Sequence, residues 1–111
     1  MKQDLDIKNQ VKQILKVIEE LAPGRSVELR VPPYAAIQCV SGSTHRRGTP
    51  SNVVEMNGQT LITLSKTPDL WDQLCSEGKI NASGTNSNLA DLFMQVSKLI
   101  SNFDERFVNG K

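Results

Sequence analysis

The apolar pattern near the C-terminus restricts the possible folds most strongly. Apolar residues recur there at spacings of three and four, which places them on one face of a helix that something apolar must cover. Asn88 and Asp91 resemble a capping box at the start of this helix, and the chain from about residue 104 is expected to fray into a polar tail. The apolar face consists of Leu89, Leu92, Phe93, Val96, Leu99, Ile100 and Phe103.

A second amphipathic helix is predicted near the N-terminus. Asp4 or Asp6 is expected to cap its first turn by accepting from backbone N–H groups. Pro23 and Gly24 are expected to end it, because proline lacks a donor and glycine takes positive φ readily. Its apolar face consists of Ile7, Val11, Ile14, Leu15, Ile18 and Leu21.

Between these helices the apolar period changes to two, which predicts β-strands. Strands are expected over residues 27–31, 35–41, 52–56 and 79–84, and a short helix is expected to begin at Pro68. Residues 57–64 are ambiguous: Asn57-Gly58 is typical of a tight hairpin, and the β-branched residues that follow favour a returning strand. The order of elements predicts an α+β domain with a mostly antiparallel sheet covered by helices on one face.

Length and charge restrict the functional class. A chain of 111 residues fits a single domain, residues 1–111. Its 13 basic and 12 acidic side chains are scattered, so no nucleic-acid partner is expected. We expect no membrane span and a cytoplasmic location, since no apolar run is long enough to cross a bilayer and no signal peptide is recognisable.

The residues that could carry chemistry are few. His45 is the only histidine, and Cys39 and Cys75 lack CxxC spacing, so neither a metal site nor a cofactor is expected. We expect two free thiols, with a Cys39–Cys75 disulfide as the alternative. Cys39 or Ser43 could pair with His45, but neither has the sequence context of an activated nucleophile. We therefore expect no enzymatic activity.

The segment His45-Arg46-Arg47-Gly48-Thr49-Pro50 is an unusual concentration of polar groups. Its arginines could hold a carboxylate or phosphate through their guanidinium groups. Alternatively, it is a solvated loop whose arginines pair with Glu28 or Glu55. The pattern leaves both possibilities open.

Three strings together resemble a known family. They are residues 30–40 (RVPPYAAIQCV), 45–55 (HRRGTPSNVVE) and 80–84 (INASG). The chain resembles the actinobacterial sterol carrier family proteins of the sterol carrier protein type 2 (SCP2-like) superfamily. It is also similar to the C-terminal domain of mycothiol-dependent maleylpyruvate isomerases. The resemblance covers roughly residues 27–100, and the first two strings are its most specific part.

The resemblance implies a sheet of four or five strands, and a helix where local propensity favours a strand at 60–64. It also implies a non-enzymatic domain that binds a lipid-like or hydrophobic small molecule between sheet and helices. The implied ligand-lining residues are Ile37, Cys39, Val53, Leu61, Leu64, Trp71, Leu92, Phe93 and Val96. A polar rim or partner contact is expected from His45, Arg46, Arg47, Thr49 and Glu55.

Two alternatives accompany this expectation. The domain could have a filled core without a lipid cavity and contact a protein partner through residues 45–50 or through the C-terminal helix. By analogy with the isomerases alone, it could assist a separate thiol-dependent enzyme.

Overall fold

The computed structural model describes residues 2–42 and 52–109, and within these the side chains of residues 4–42 and 52–101. A short 3₁₀ turn, Pro68–Leu70, precedes the third helix. In chain order the elements are α1 (Lys2–Leu21), β1 (Val27–Val31), β2 (Ala35–Cys39), β3 (Asn52–Met56), α2 (Gly58–Lys66), α3 (Trp71–Ser76), β4 (Ile80–Ser83) and α4 (Ala90–Asn109).

The four strands form one mixed sheet with the order β2-β1-β3-β4. β1 is antiparallel to β2 and β3 is antiparallel to β4, whereas β1 and β3 run parallel. Leu29 at the centre of β1 lies opposite Ile37 on one side and Val54 on the other. The predicted α+β class with a mostly antiparallel sheet is therefore confirmed.

Strand alternation decides which side of the sheet the helices cover. Val27, Leu29 and Val31 of β1 are fully buried and face the helices, together with Val54 and Met56 of β3. The intervening residues face the other way, and Glu28, Arg30 and Glu55 among them are charged. On that side Arg30 Nε donates to Glu28 Oε2 at 3.0 Å, and Arg30 Nη1 lies 3.9 Å from Glu55 Oε1. We call this side the polar sheet face.

The apolar faces of the two long helices are as predicted, but some of the helix ends are not. α1 is helical from Lys2, so Asp4 and Asp6 lie within the helix and the prediction that either one caps it is wrong. Asp4 instead accepts a 2.7 Å hydrogen bond from the Tyr34 hydroxyl. α4 begins at Ala90, one residue later than the capping-box pattern predicts, and continues through Asn109.

Residues 58–66 form helix α2, so the hairpin expected from Asn57-Gly58 is wrong and the helix implied by the family resemblance is confirmed. The Asn57 side chain accepts a 2.8 Å hydrogen bond from the Thr60 N–H and thereby caps the helix. Leu61 and Leu64 then face the sheet with no exposed surface. Among the described residues, no helix is long and apolar enough to cross a membrane.

Candidate functional site

The predicted ligand-lining residues mostly meet in one place. Seven of the nine are buried between the sheet and the helices, and Trp71 contacts Phe93 there with ring centroids 6.1 Å apart. Ile37 faces the same space and is half-buried, whereas Val53 lies on the opposite, polar sheet face. The buried seven are Cys39, Leu61, Leu64, Trp71, Leu92, Phe93 and Val96.

Of the five residues predicted to form a polar rim, the structure describes only Glu55. His45, Arg46, Arg47 and Thr49 lie outside the described residues. Glu55 lies on the polar sheet face beside Arg30. The proposed role of residues 45–50 therefore stays a prediction.

An open depression of about 520 Å³ lies where α1, β2 and α4 meet, and we call it the β2–α4 concavity. Its wall includes Ser41, near the point where the chain leaves the described region at Gly42. Its apolar lining residues, which we call its floor, are Leu21, Ala22, Val40, Leu89 and Leu92. Its polar lining residues within the described part of the chain, which we call its rim, are Ser41, Thr85, Asn86, Asn88 and Gln95.

A buried polar cluster supports this concavity from below. Asn52, which is 2% exposed, donates through Nδ2 to the Ser26 carbonyl at 2.9 Å. Its Oδ1 accepts from the Asn86 N–H, also at 2.9 Å. One side chain therefore connects the first residue of β3, the residue before β1 and the loop after β4. Sequence analysis missed this cluster, although Asn52, Val54 and Met56 alternate along β3 and all face the core.

The wall of the concavity contains strained backbone. Val40 has a φ of 65°, a left-handed conformation that costs a β-branched residue about 1–3 kcal/mol. It is held by hydrogen bonds from its N–H to the Ala22 carbonyl at 2.7 Å and from the Ser26 N–H to its carbonyl at 3.0 Å. Such strain persists where surrounding contacts fix it, and it concentrates at binding and active sites.

Gly24 allows the chain to pass close to Val40. Its φ is 150°, and a Cβ atom built on it would lie 2.3 Å from the Val40 carbonyl carbon and 2.4 Å from the Ser41 nitrogen. No side chain fits between these two backbone segments. Gly24 therefore sets the position of the concavity wall.

The two cysteines are free thiols. Burial, with a smaller contribution from the charge of Glu19, raises the pKa of Cys39 to about 11. Burial, with a smaller contribution from Asp72, also raises the pKa of Cys75. Both thiols are thus held in the protonated form, which is a poor nucleophile and a poor metal ligand. Among the described side chains, no three His, Cys, Asp or Glu residues are grouped to hold a metal ion.

A second concavity, of about 710 Å³, separates α1 from α4, and we call it the α1–α4 groove. Ile14 and Val17 of α1 and Leu99 and Ile100 of α4 give it an apolar lining. Leu99 is 46% exposed. This groove has charged side chains at its edge, namely Lys16, Glu20 and Lys66.

Comparison with protein families gives one finding. A family model described as "Bacterial SCP ortholog" matches residues 3–94, which extend from α1 into the first turns of α4. The match includes every residue that lines the β2–α4 concavity except Gln95. No curated protein matches the chain.

Proposed function

Because the chain belongs to the family of bacterial SCP orthologs, the bacterial sterol carrier proteins, we propose that it binds a lipid-like or other hydrophobic small molecule and catalyses no reaction on it. The observation that carries this proposal is the apolar floor of the β2–α4 concavity. Its volume falls within the range of about 300–1,000 Å³ that is usual for small-molecule sites. We also propose a cytoplasmic location, where free thiols such as Cys39 and Cys75 are usual.

The ligand enters between sheet and helices from this concavity. An empty lipid-sized space of about 300 Å³ in the core would cost on the order of 7 kcal/mol, and a whole domain has only about 5–15 kcal/mol of stability. The buried side chains therefore fill the core until a ligand displaces them. Leu92, which lines the concavity and also joins the core, is the first of the predicted ligand-lining residues that a ligand would meet.

The absence of catalysis is part of the same proposal. Cys39 is a protonated, buried thiol, and the polar side chains that line the concavity among the described residues are amides and hydroxyls. Neutral hydroxyls and amides bind and orient a ligand, but they do not activate a nucleophile.

Native mass spectrometry of freshly purified protein, followed by extraction into organic solvent, tests the proposal directly. A co-purified apolar molecule supports it. The protein freed of that molecule should regain it, or a member of a lipid panel, with a measurable dissociation constant. An apo mass together with no binding across the panel contradicts the proposal.

Filling the concavity should weaken ligand binding without unfolding the protein. Ala22 lies in its floor and is half-buried, so Ala22→Phe places a ring where the ligand would lie. We expect the ligand affinity to fall by at least about tenfold, which corresponds to about 1.4 kcal/mol. The matched control is Ala36→Phe, at an exposed position on the polar sheet face. If both variants bind like the wild type in titration calorimetry, the ligand lies elsewhere.

The α1–α4 groove favours protein interaction as a second candidate function. Leu99 exposes its side chain at this groove. Leu99→Glu would therefore weaken the binding of a partner that buries this side chain. Met94 on the same helix is similarly exposed, at 43%, but does not line the groove. We expect a partner isolated with the wild-type chain to be retained by Met94→Glu and lost by Leu99→Glu. Retention by both variants would exclude this surface.

A further inference from the structure

The edge of the α1–α4 groove carries two opposite charges about one helical turn apart on α1. They belong to Lys16 and Glu20, whose side chains are both exposed. We infer that the groove binds a second copy of this chain, related to the first by a two-fold axis that brings Lys16 of each copy to Glu20 of the other. This inference rests on the protein-interaction function proposed above, because it names the partner, and it is independent of ligand binding at the β2–α4 concavity.

The apolar side chains in this groove are partly exposed. Ile14 and Val17 line it from α1, and Leu99 and Ile100 line it from α4. Leu99 is 46% exposed, and Val17 and Ile100 are half-buried. The apolar stripe of each helix therefore extends beyond the part that the core buries. Removing these side chains from water favours association with another surface.

The dimensions of the groove indicate what can fill it. Its α1 side extends from Gln10 to Glu20, which is a rise of about 15 Å at about 1.5 Å per residue. A volume of about 710 Å³ over that length gives a mean cross-section of about 47 Å². A helix about 10 Å in diameter has a cross-section of about 80 Å². The groove thus accepts the side chains along one ridge of a helix and not a whole helix.

The outward ridge of α1 is suited to such a groove. Gln13, Val17 and Glu20 follow one another at spacings of four and three, so they lie on one face of the helix. This ridge also forms one wall of the groove, and each copy therefore presents a ridge and a groove side by side. A two-fold axis between two copies places both ridges in both grooves at once, which makes the interface isologous.

The two charges determine how the copies are oriented. A two-fold axis perpendicular to α1 packs the helix antiparallel against its copy and places Lys16 opposite Glu20 at two contacts. An axis parallel to α1 would bring Lys16 to Lys16 and Glu20 to Glu20, and like charges facing each other across an interface oppose binding. The charge pattern of α1 is thus complementary to itself in the antiparallel arrangement.

The interface is small, so the dimer is expected to be weak. Stable interfaces bury about 800 Å² on each partner, and a contact along about 15 Å of helix lies at the low end of that scale. We expect a dissociation constant of about 1 µM to 1 mM. Sedimentation equilibrium of the full chain up to about 1 mM covers this range. Low ionic strength limits the screening of the ion pairs.

An exchange of charges tests the pairing. Lys16→Glu places two carboxylates opposite each other at both contacts, and Glu20→Lys places two ammonium groups there. Each variant alone should dimerise at least about fivefold more weakly than the wild type. An equimolar mixture restores opposite charges at both contacts and should return the association to within about twofold of wild type. Repulsion between residues 16 and 20 within one helix is unchanged by mixing, so it does not explain such a recovery.

A matched pair of variants controls for net charge. Lys8→Glu and Glu19→Lys make the same changes at exposed positions of α1 that do not line the groove. Each should dimerise within about twofold of wild type, alone and mixed. The inference is overturned by a wild-type chain that is monomeric at about 1 mM, by a groove mixture that associates no better than its components, or by an equal response of the control pair.

The same measurements distinguish failure of this inference from failure of the function on which it rests. A chain that is monomeric but loses a different protein partner on Leu99→Glu retains protein interaction at the α1–α4 groove, and only the choice of a second copy as partner is overturned. A monomeric chain whose partners all survive Leu99→Glu overturns both. Ligand binding at the β2–α4 concavity is unaffected by either result.

Discussion

Gly24→Ala is expected to destabilise the protein by at least about 3 kcal/mol, through overlap and backbone strain acting together. The added methyl group would lie 2.3 Å from both the carbon and the oxygen of the Val40 carbonyl. The backbone there cannot move freely, because Ser26 and Ala22 hold Val40 with hydrogen bonds on both sides. Urea unfolding should show a midpoint lowered by about 1–3 M, since the slope for a small domain is about 1–3 kcal/mol per M.

Gly78→Ala separates the effect of steric overlap from the effect of backbone strain. Gly78 also has positive φ, 77°, but a Cβ atom there would meet nothing within 4 Å. Its substitution should therefore cost only the conformational penalty, about 1 kcal/mol. If the two variants lose equal stability, the close approach of Gly24 to Val40 contributes nothing and the account of this wall is incorrect.

Asn52→Ala is expected to cost about 2 kcal/mol, because it leaves the buried Ser26 carbonyl and the partly buried Asn86 N–H without their partner. The Ser26 carbonyl and the Asn86 N–H each lose a 2.9 Å hydrogen bond, and an unsatisfied buried polar group costs about 1–3 kcal/mol. Thermal and urea unfolding measure the loss. Ligand affinity should also fall, since Asn86 lines the β2–α4 concavity and would no longer be held in place.

The control for this prediction is Asn81→Ala on β4. Asn81 is exposed on the polar sheet face and pairs with Glu55 in the strand register, so its loss should change stability by no more than about 0.5 kcal/mol. If Asn52→Ala and Asn81→Ala lose similar stability, asparagine contributes only through its strand propensity. A stable Asn52→Ala variant would show that water or other groups replace the cluster.

Elements with long, regular apolar patterns were predictable from the sequence, because the helix or strand period depends on the chain itself. The faces of α1 and α4 and the inward residues of β1 follow this pattern. Which strands become neighbours does not follow from it, since alternation defines the faces of a strand but not its partner. The parallel pairing of β1 with β3 is therefore a property of the folded chain alone.

The ambiguous segment after β3 shows how a local signal can mislead. Asn57-Gly58 is suited to a hairpin, but the same asparagine caps a helix when its side chain accepts from the Thr60 N–H. Burial decides between a hairpin and a helix, since Leu61 and Leu64 are completely buried when the segment is helical. At Gly58 a side chain would approach Ile7 to within 2.8 Å, so the glycine serves helix packing here.

The candidate site was less predictable than the fold. Sequence patterns treat Asn52 and Ser26 as exposed, because most polar residues are, yet both are buried at this site. The β2–α4 concavity is built from the end of α1, the end of β2 and the loop after β4, which lie far apart in the sequence. Residues 45–50 stood out by composition, but composition does not specify what they contact.

The burial of Trp71 has a practical consequence for measurement. It is the single tryptophan of the chain, it is 4% exposed, and it does not line the β2–α4 concavity. Its intrinsic fluorescence therefore reports unfolding of the core. Each increase in unfolding midpoint with added lipid then gives a dissociation constant by thermodynamic linkage, since a ligand stabilises only the state that binds it.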